Sequence, residues 1–148
     1  KPTGADSTEL NWTRNCEEVF YIYKSVFGGE FEGSGFSRFG EAPVEEGQPI
    51  VPEEDKNLIM NVGLNILGGH NIMGTDMCEW MGQEYIAGNH IYITLSPDTR
   101  VEADRLFSAL AKGGKVEMPM QDMFWGDYYG AFTDKFGIGW MINTSAKE

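Results

Sequence analysis

Gln121-Asp122-Met123-Phe124-Trp125-Gly126-Asp127-Tyr128-Tyr129-Gly130, continued through Phe132-Thr133-Asp134-Lys135-Phe136-Gly137 to Trp140-Met141-Ile142, is the stretch from which the fold can be read. Aromatic and β-branched residues crowd it and glycines interrupt it, the pattern of two strands joined by a Gly-containing turn. Trp125, Tyr128 and Tyr129 are residues of the kind that pack in a core or at a dimer interface. In the last strand the alternation predicts Trp140 and Ile142 under a helix, with Met141 and Asn143 on the opposite face.

Working back from this hairpin, Lys115 to Met120 reads as a further strand. Before it, Thr99-Arg100-Val101-Glu102 is a capping box following Pro97, and the helix it opens buries Ala103, Leu106, Phe107 and Leu110 before Gly113-Gly114 ends it. Ahead of the helix, His90, Tyr92 and Thr94 alternate with Ile91, Ile93 and Leu95, as a strand does. The second half is therefore strand, helix and three strands.

The first half repeats that order. Ser7 to Thr13 alternates, with Leu10 and Trp12 on one face. Asn15-Cys16-Glu17-Glu18 forms an Asn version of the capping box, and Val19, Ile22, Tyr23, Val26 and Phe27 recur at helical spacing up to Gly28-Gly29. Glu30 to Phe39 reads as a strand, Leu58 to Leu67 as a strictly alternating one, Gly68-Gly69 as a hairpin turn and His70 to Thr75 as the return strand. Between them, residues 40–55 carry six acidic side chains, three prolines and no basic residue, which describes an acidic surface loop or a lid. Residues 76–88 read as a linker whose Trp80 and Tyr85 pack back onto the domain.

The two Gly-Gly pairs lie 85 positions apart, and that offset carries Leu10 onto Leu95 and Phe39 onto Phe124. The last strands of the halves are offset by 68, and the difference of 17 is close to the length of the acidic loop. The organisation is thus one domain over 1–148, with module one about 5–76, a linker over 77–87 and module two about 88–144. At 16.5 kDa, 41% hydrophobic and 13% aromatic, the chain has enough apolar material for a core. The net charge of -12 argues against nucleic acid and anionic membranes as partners. No apolar run reaches the roughly 18 residues of a membrane span, and a cytoplasmic protein is expected. Cys16 and Cys78 form neither a disulfide framework nor a CxxC motif, so two reduced thiols are expected, Cys16 in a helical first turn where the dipole favours a thiolate but the adjacent Glu17 and Glu18 take back part of that help.

A βαβββ unit used twice resembles the vicinal oxygen chelate superfamily of glyoxalases, bleomycin-resistance proteins and dioxygenases, and within it the PhnB-like branch. The residues that carry the resemblance run from Asn15 to Phe20, Tyr23 to Phe31, Pro52 to Lys56, Ile72 to Asp76, Ala103 to Phe107, Gly113 to Val116 and Phe124 to Gly137. The resemblance implies an α+β fold in which the two modules form a curved, cup-shaped mixed sheet with helices on the convex side. It also implies a homodimer, and a small-molecule ligand in the cup.

Metal-dependent members of this superfamily place four His, Glu or Gln side chains on the concave face, from the first and last strands of each module. Projected here, those positions fall on Ala5, Met73, His90 and Met141. A thioether is neutral and soft and cannot replace a carboxylate for Mg, Mn, Fe or Zn, so no metal and no other cofactor is expected. An improvised divalent site would have to use Glu9, His70 or His90. The cup would be lined by Asn61, Asn65 and Met73 from module one and by His90, Tyr92, Thr94, Met141 and Asn143 from module two, with Trp125 and Tyr129 beside them. Such a lining suits a small amphipathic or partly aromatic molecule.

Three functions follow: a metal-independent protein that sequesters a small molecule, as the first choice; a lyase, isomerase or dioxygenase using an improvised metal or His90 as general base; or a dimer whose cup is filled by its own side chains. Members of the branch often bear a name referring to ubiquinone methyl transfer. No strand, Gly-rich loop and helix is present here to hold S-adenosylmethionine.

Overall fold

The computed structural model describes residues 4–148. Module one consists of β1 (Ser7–Trp12), α1 (Cys16–Phe27), β2 (Ser37–Arg38), β3 (Ile59–Asn65) and β4 (Asn71–Asp76). Module two consists of β5 (Tyr92–Leu95), α2 (Arg100–Ala111), β6 (Lys115–Asp122), β7 (Tyr128–Thr133) and β8 (Gly139–Thr144). The sheets have the same order, β1-β4-β3-β2 and β5-β8-β7-β6. In each, the first strand runs parallel to the last and the remaining pairs are antiparallel. The fold is α+β, a βαβββ unit used twice. Leu10 pairs with Gly74 and Leu95 with Ile142, so both sequence offsets, 85 and 68, are preserved in the ladders. The chain divides into two compact units, one up to Ile86 and one from Ala87.

Each helix covers one face of its own sheet because its apolar stripe matches the inward residues of the strands. In module one the rings of Trp12, Phe20 and Tyr23 meet at 5.9–6.3 Å. Val19, Val62, Leu64 and Ile72 close around them without exposure. In module two Leu106, Phe132, Trp140 and Ile142 are fully buried, and Phe107 stands edge-on to Phe132 at 4.8 Å. Trp140 and Ile142 thus occupy the helix-facing side, while Met141 and Asn143 are half-buried on the other.

Several local expectations are corrected. The strand expected over Glu30–Phe39 shrinks to Ser37–Arg38 and one bridge, Phe31 to Leu64. Gly33 and Gly35 take positive φ between them, which turns the chain out of the ladder. The strict alternation expected over Leu58–Leu67 fails at its start, where Ile59 is buried while Met60 and Asn61 are both exposed. The β2–β3 register is irregular there, and the Ile59 amide is drawn inward to the Asp76 carboxylate. Ile22, expected in the core, is 37% exposed, and Phe20 takes the buried place on α1. The second module's first strand starts at Tyr92 rather than His90, because β8 starts only at Gly139 after the Asp134–Ile138 turn and offers His90 and Ile91 no parallel partner. The residues expected to form a linker begin inside the fold, since Asp76 ends β4 and Cys78 is buried, while Trp80 does pack back as expected, edge-on to Phe39 at 5.4 Å.

The capping box expected at Asn15 does not form, since its side chain makes no cap bond. Instead the Cys16 amide donates to Asp76 Oδ1 at 3.0 Å, and the Ile59 amide to Oδ2 at 2.9 Å. Asp76 is 1% exposed, and a buried carboxylate persists only with such donors. The capping box at Thr99 does hold, its Oγ1 accepting from the Glu102 amide at 3.1 Å.

Candidate functional site

The strand registers define what lies opposite each helix. On that open face of module one, Met73 stands between Glu9 of β1 and Gly63 of β3, and Asn71 between Ser7 and Asn65. Asn71 Nδ2 donates to Asn65 Oδ1 at 3.2 Å, while Asn61 is exposed farther along β3. The Glu9 carboxylate accepts a short hydrogen bond from the Thr75 hydroxyl. On the other side of Met73 the Glu32 side chain lies over Gly63, where an added Cβ would sit 2.9 Å from Glu32 Oε2. That close approach is what a residue without Cβ permits.

On the open face of module two, Met141 stands between Thr94 and Ala131, in the same relation as Met73 to Glu9 and Gly63. Tyr92 lies over Gly139, and its hydroxyl donates to Glu117 Oε1 at 2.6 Å. Thr133 Oγ1 donates to Glu117 Oε2, also at 2.6 Å. These two donors, Thr133 first, hold the Glu117 carboxyl below its ordinary range, and Lys115 adds a lesser pull. The hydrogen bond to Glu117 in turn raises the Tyr92 phenol. Asn143 Nδ2 donates to Asp127 Oδ2 at 3.0 Å. Tyr129, half-buried, pairs with Asn143 and meets Trp125 at 6.4 Å. Trp125 sits in the β6–β7 turn, 51% exposed, beside a nearly fully exposed Phe124.

Within module two, then, Tyr92, Thr94, Met141 and Tyr129 lie on one sheet face, and within module one Asn65 and Met73 do. His90 lies in an exposed bend before β5. His70 is engaged at both ring nitrogens, Nε2 by the Thr8 hydroxyl at 2.9 Å and Nδ1 by Asp6 at 3.5 Å. The donors offered by the positions projected for a metal, Ala5, Met73, His90 and Met141, comprise one imidazole and two thioethers, which do not fit a hard or borderline divalent ion. Among the described residues no three His, Cys, Asp or Glu side chains gather as a metal-binding group. The first-turn Cys16 is fully buried, and that burial, with Asp76 beside it, pushes its thiol far up, so the dipole advantage expected from its position is overridden.

Glu32 and Glu117 escaped the reading of the sequence, yet they stand 85 positions apart, the repeat offset itself. Asp134 was also missed. Its carboxylate, 4% exposed, accepts from the Phe136 and Ile138 amides and from Trp140 Nε1 at 2.8–3.0 Å, and so fixes the β7–β8 turn onto the core.

Comparison with known proteins agrees with this architecture. The model of the Glyoxalase/Bleomycin resistance protein/Dioxygenase superfamily matches residues 11–142. Protein YjdN of Escherichia coli (strain K12) is 30% identical over 147 residues, covering 96% of each chain. The crystal structure of protein PA1353 from Pseudomonas aeruginosa superposes with a TM-score of 0.80 at 34% identity, over 96% of this chain and 98% of that one. A Bacillus cereus protein described as a putative 3-demethylubiquinone-9 3-methyltransferase, PhnB protein, shares the fold at 20% identity and a TM-score of 0.71, over 95% of this chain and 99% of that one. Its doubled βαβββ architecture and the match along nearly its whole length place this chain in the Glyoxalase/Bleomycin resistance protein/Dioxygenase superfamily.

Proposed function

We propose that this protein binds a small organic ligand on the sheet faces turned away from its helices, without the divalent ion that metal-dependent members of the superfamily carry. The observation that supports this most is the pair Met73 and Met141, each at the centre of an open face between a first and a third strand. A thioether there supplies adaptable apolar surface in place of a charged ligand, and the neighbouring Thr94, Tyr92 and Asn65 supply hydroxyls and an amide for orientation. A neutral, polarizable lining of this kind holds an organic molecule by contact area and a few hydrogen bonds.

The test is calorimetric titration of chelator-treated protein with Mn2+, Fe2+, Ni2+ and Zn2+, followed by thermal unfolding at saturating ion. The expected result is no stoichiometric uptake and an unmoved Tm. One-to-one binding in the micromolar range or tighter, with a raised Tm, would favour the enzyme reading instead. A role for His90 as general base predicts a turnover that His90→Ala abolishes; the binding reading predicts that this substitution leaves ligand affinity within about threefold, as removal of an exposed side chain outside the contact surface does.

We further propose a cytoplasmic homodimer. Two reduced, buried thiols support the compartment, and β1, a polar edge strand, supports the pairing. Among the described residues no helix is long and apolar enough to cross a membrane. Light scattering at micromolar concentration that returns the mass of one chain contradicts the dimer.

A further inference from the structure

Resting on the reading that the open faces bind ligand, we propose that the open face of module two is selective for a small organic cation, a protonated or quaternary amine, with Glu117 as its counter-charge and the Tyr92 ring and Met141 as its wall. Glu117 is exposed, and the two hydroxyls that bind it use one acceptor site on each oxygen. A carboxylate has about four acceptor sites, so about two stay open for a ligand N–H or an alkylammonium group. The same hydroxyls fix the carboxylate in place, which removes the entropy cost of ordering a free side chain when the ligand arrives.

The surroundings favour positive charge. Tyr92 lies flat enough over Gly139 that an added Cβ would sit 2.9 Å from its ring, so the ring forms a floor next to the carboxylate, and a cation over such a ring gains quadrupole attraction. The whole chain carries 23 acidic against 11 basic residues, a field that draws cations and repels anions. Independently of module two, the repeat puts Glu32 at the equivalent point of module one, again on the open face, over Gly63. A carboxylate retained in both copies where Met73 and Met141 occupy the projected ligand positions marks a shared preference of the face. Lys115 is the competing cation: it lies on the same strand as Glu117 and is itself exposed. Because its hydrogen bonds hold the Glu117 carboxyl below the ordinary range, the counter-charge persists throughout neutral and mildly acidic solution.

The experiment is a titration of the full chain, followed by amide NMR, with four probes of one shape: benzylamine, benzyltrimethylammonium, benzyl alcohol and benzoate. The two cations are expected to shift the amides of Tyr92, Glu117, Thr133 and Met141 and to bind at least about tenfold more tightly than the alcohol, with benzoate weakest, as a charge-assisted contact implies. Glu117→Gln should collapse the amine-over-alcohol ratio from about tenfold to near unity, whatever it does to the alcohol alone; Lys115→Gln, which deletes the competitor, should tighten the cations by about two- to threefold. The thermal midpoints of both variants check that they are folded. Alcohol binding as tightly as the amines, or an advantage that survives Glu117→Gln, overturns the cation preference while leaving ligand binding on this face standing. If no probe shifts these amides, the cation site is wrong, and the wider binding reading is then decided separately by native mass measurement.

Discussion

The two modules share a topology and a register but fill their cores differently, and the difference lies at equivalent positions. Gly74 of β4 corresponds to Ile142 of β8. In module one the bulk comes from α1: an added Cβ on Gly74 would run into the Phe20 ring and lie 2.8 Å from Cys16 Sγ. In module two the bulk comes from the strand, where the Ile142 side chain is itself fully buried. The reverse trade occurs one strand over, where Val62 of module one corresponds to Gly130 of module two, which is pressed against Phe107 and Met120. A packed layer between helix and sheet has a fixed volume, and either side can supply it. Helix starts differ in the same way: α1 borrows a carboxylate from β4, whereas α2 uses its own Thr99.

Substitutions at matched positions sharpen this contrast. The largest effect is expected at Asp76→Ala, which leaves the Cys16 and Ile59 amides buried without an acceptor and should cost roughly 2–5 kcal/mol in denaturant unfolding. Asp134→Ala follows at roughly 1–3 kcal/mol, because the turn amides of Phe136 and Ile138 that donate to it are only part-buried. Hydrogen exchange should locate the first loss at α1 and β3 and the second at the β7–β8 turn; a loss spread evenly over both modules would refute separate carboxylate anchors.

Next, Gly74→Ala should destabilise by roughly 1–3 kcal/mol through overpacking against Phe20, while Ile142→Val at the matched position costs roughly 0.5–1.5 kcal/mol through lost volume. Equal tolerance of a larger residue at Gly74 would mean the volume exchange is wrong. The smallest pair separates the caps: Thr99→Ala should cost about 1 kcal/mol, and Asn15→Ala only a few tenths, since Asn15 makes no cap bond. Matching losses at the two sites would restore the capping box at Asn15.

What was legible in the sequence follows from the same contrast. Strand alternation and Gly-Gly helix ends are local signals, so the repeat, both helices and the faces of β8 were readable, whereas the pairing of the strands was not. Asp76 was not readable, because its donors lie 60 residues before it and 17 before it, and a carboxylate at the end of a strand looks like the first polar residue of a linker. The Glu30–Phe39 segment misled because Phe31, Phe36 and Phe39 have strand composition, whereas the phenylalanines 31 and 36 pack with Tyr21 at 5.2–5.6 Å beside α1 rather than in a ladder. Tyr92, Thr94 and Met141, grouped in the sequence by strand parity, share one sheet face with Tyr129, which parity had not grouped with them. Glu117 was hidden by an irregular register in β6, which breaks the alternation around it. Only the repeat offset from Glu32 could have pointed to it.

The central claim, ligand binding on faces that have lost the inherited metal chemistry, is tested most directly by native mass spectrometry of the purified protein combined with elemental analysis. A dimer that carries an organic adduct, released on mild activation, is expected, with less than about a tenth of an equivalent of any divalent metal, the level of adventitious binding without a ligand set. A stoichiometric divalent ion retained through purification, with no organic adduct, would contradict it.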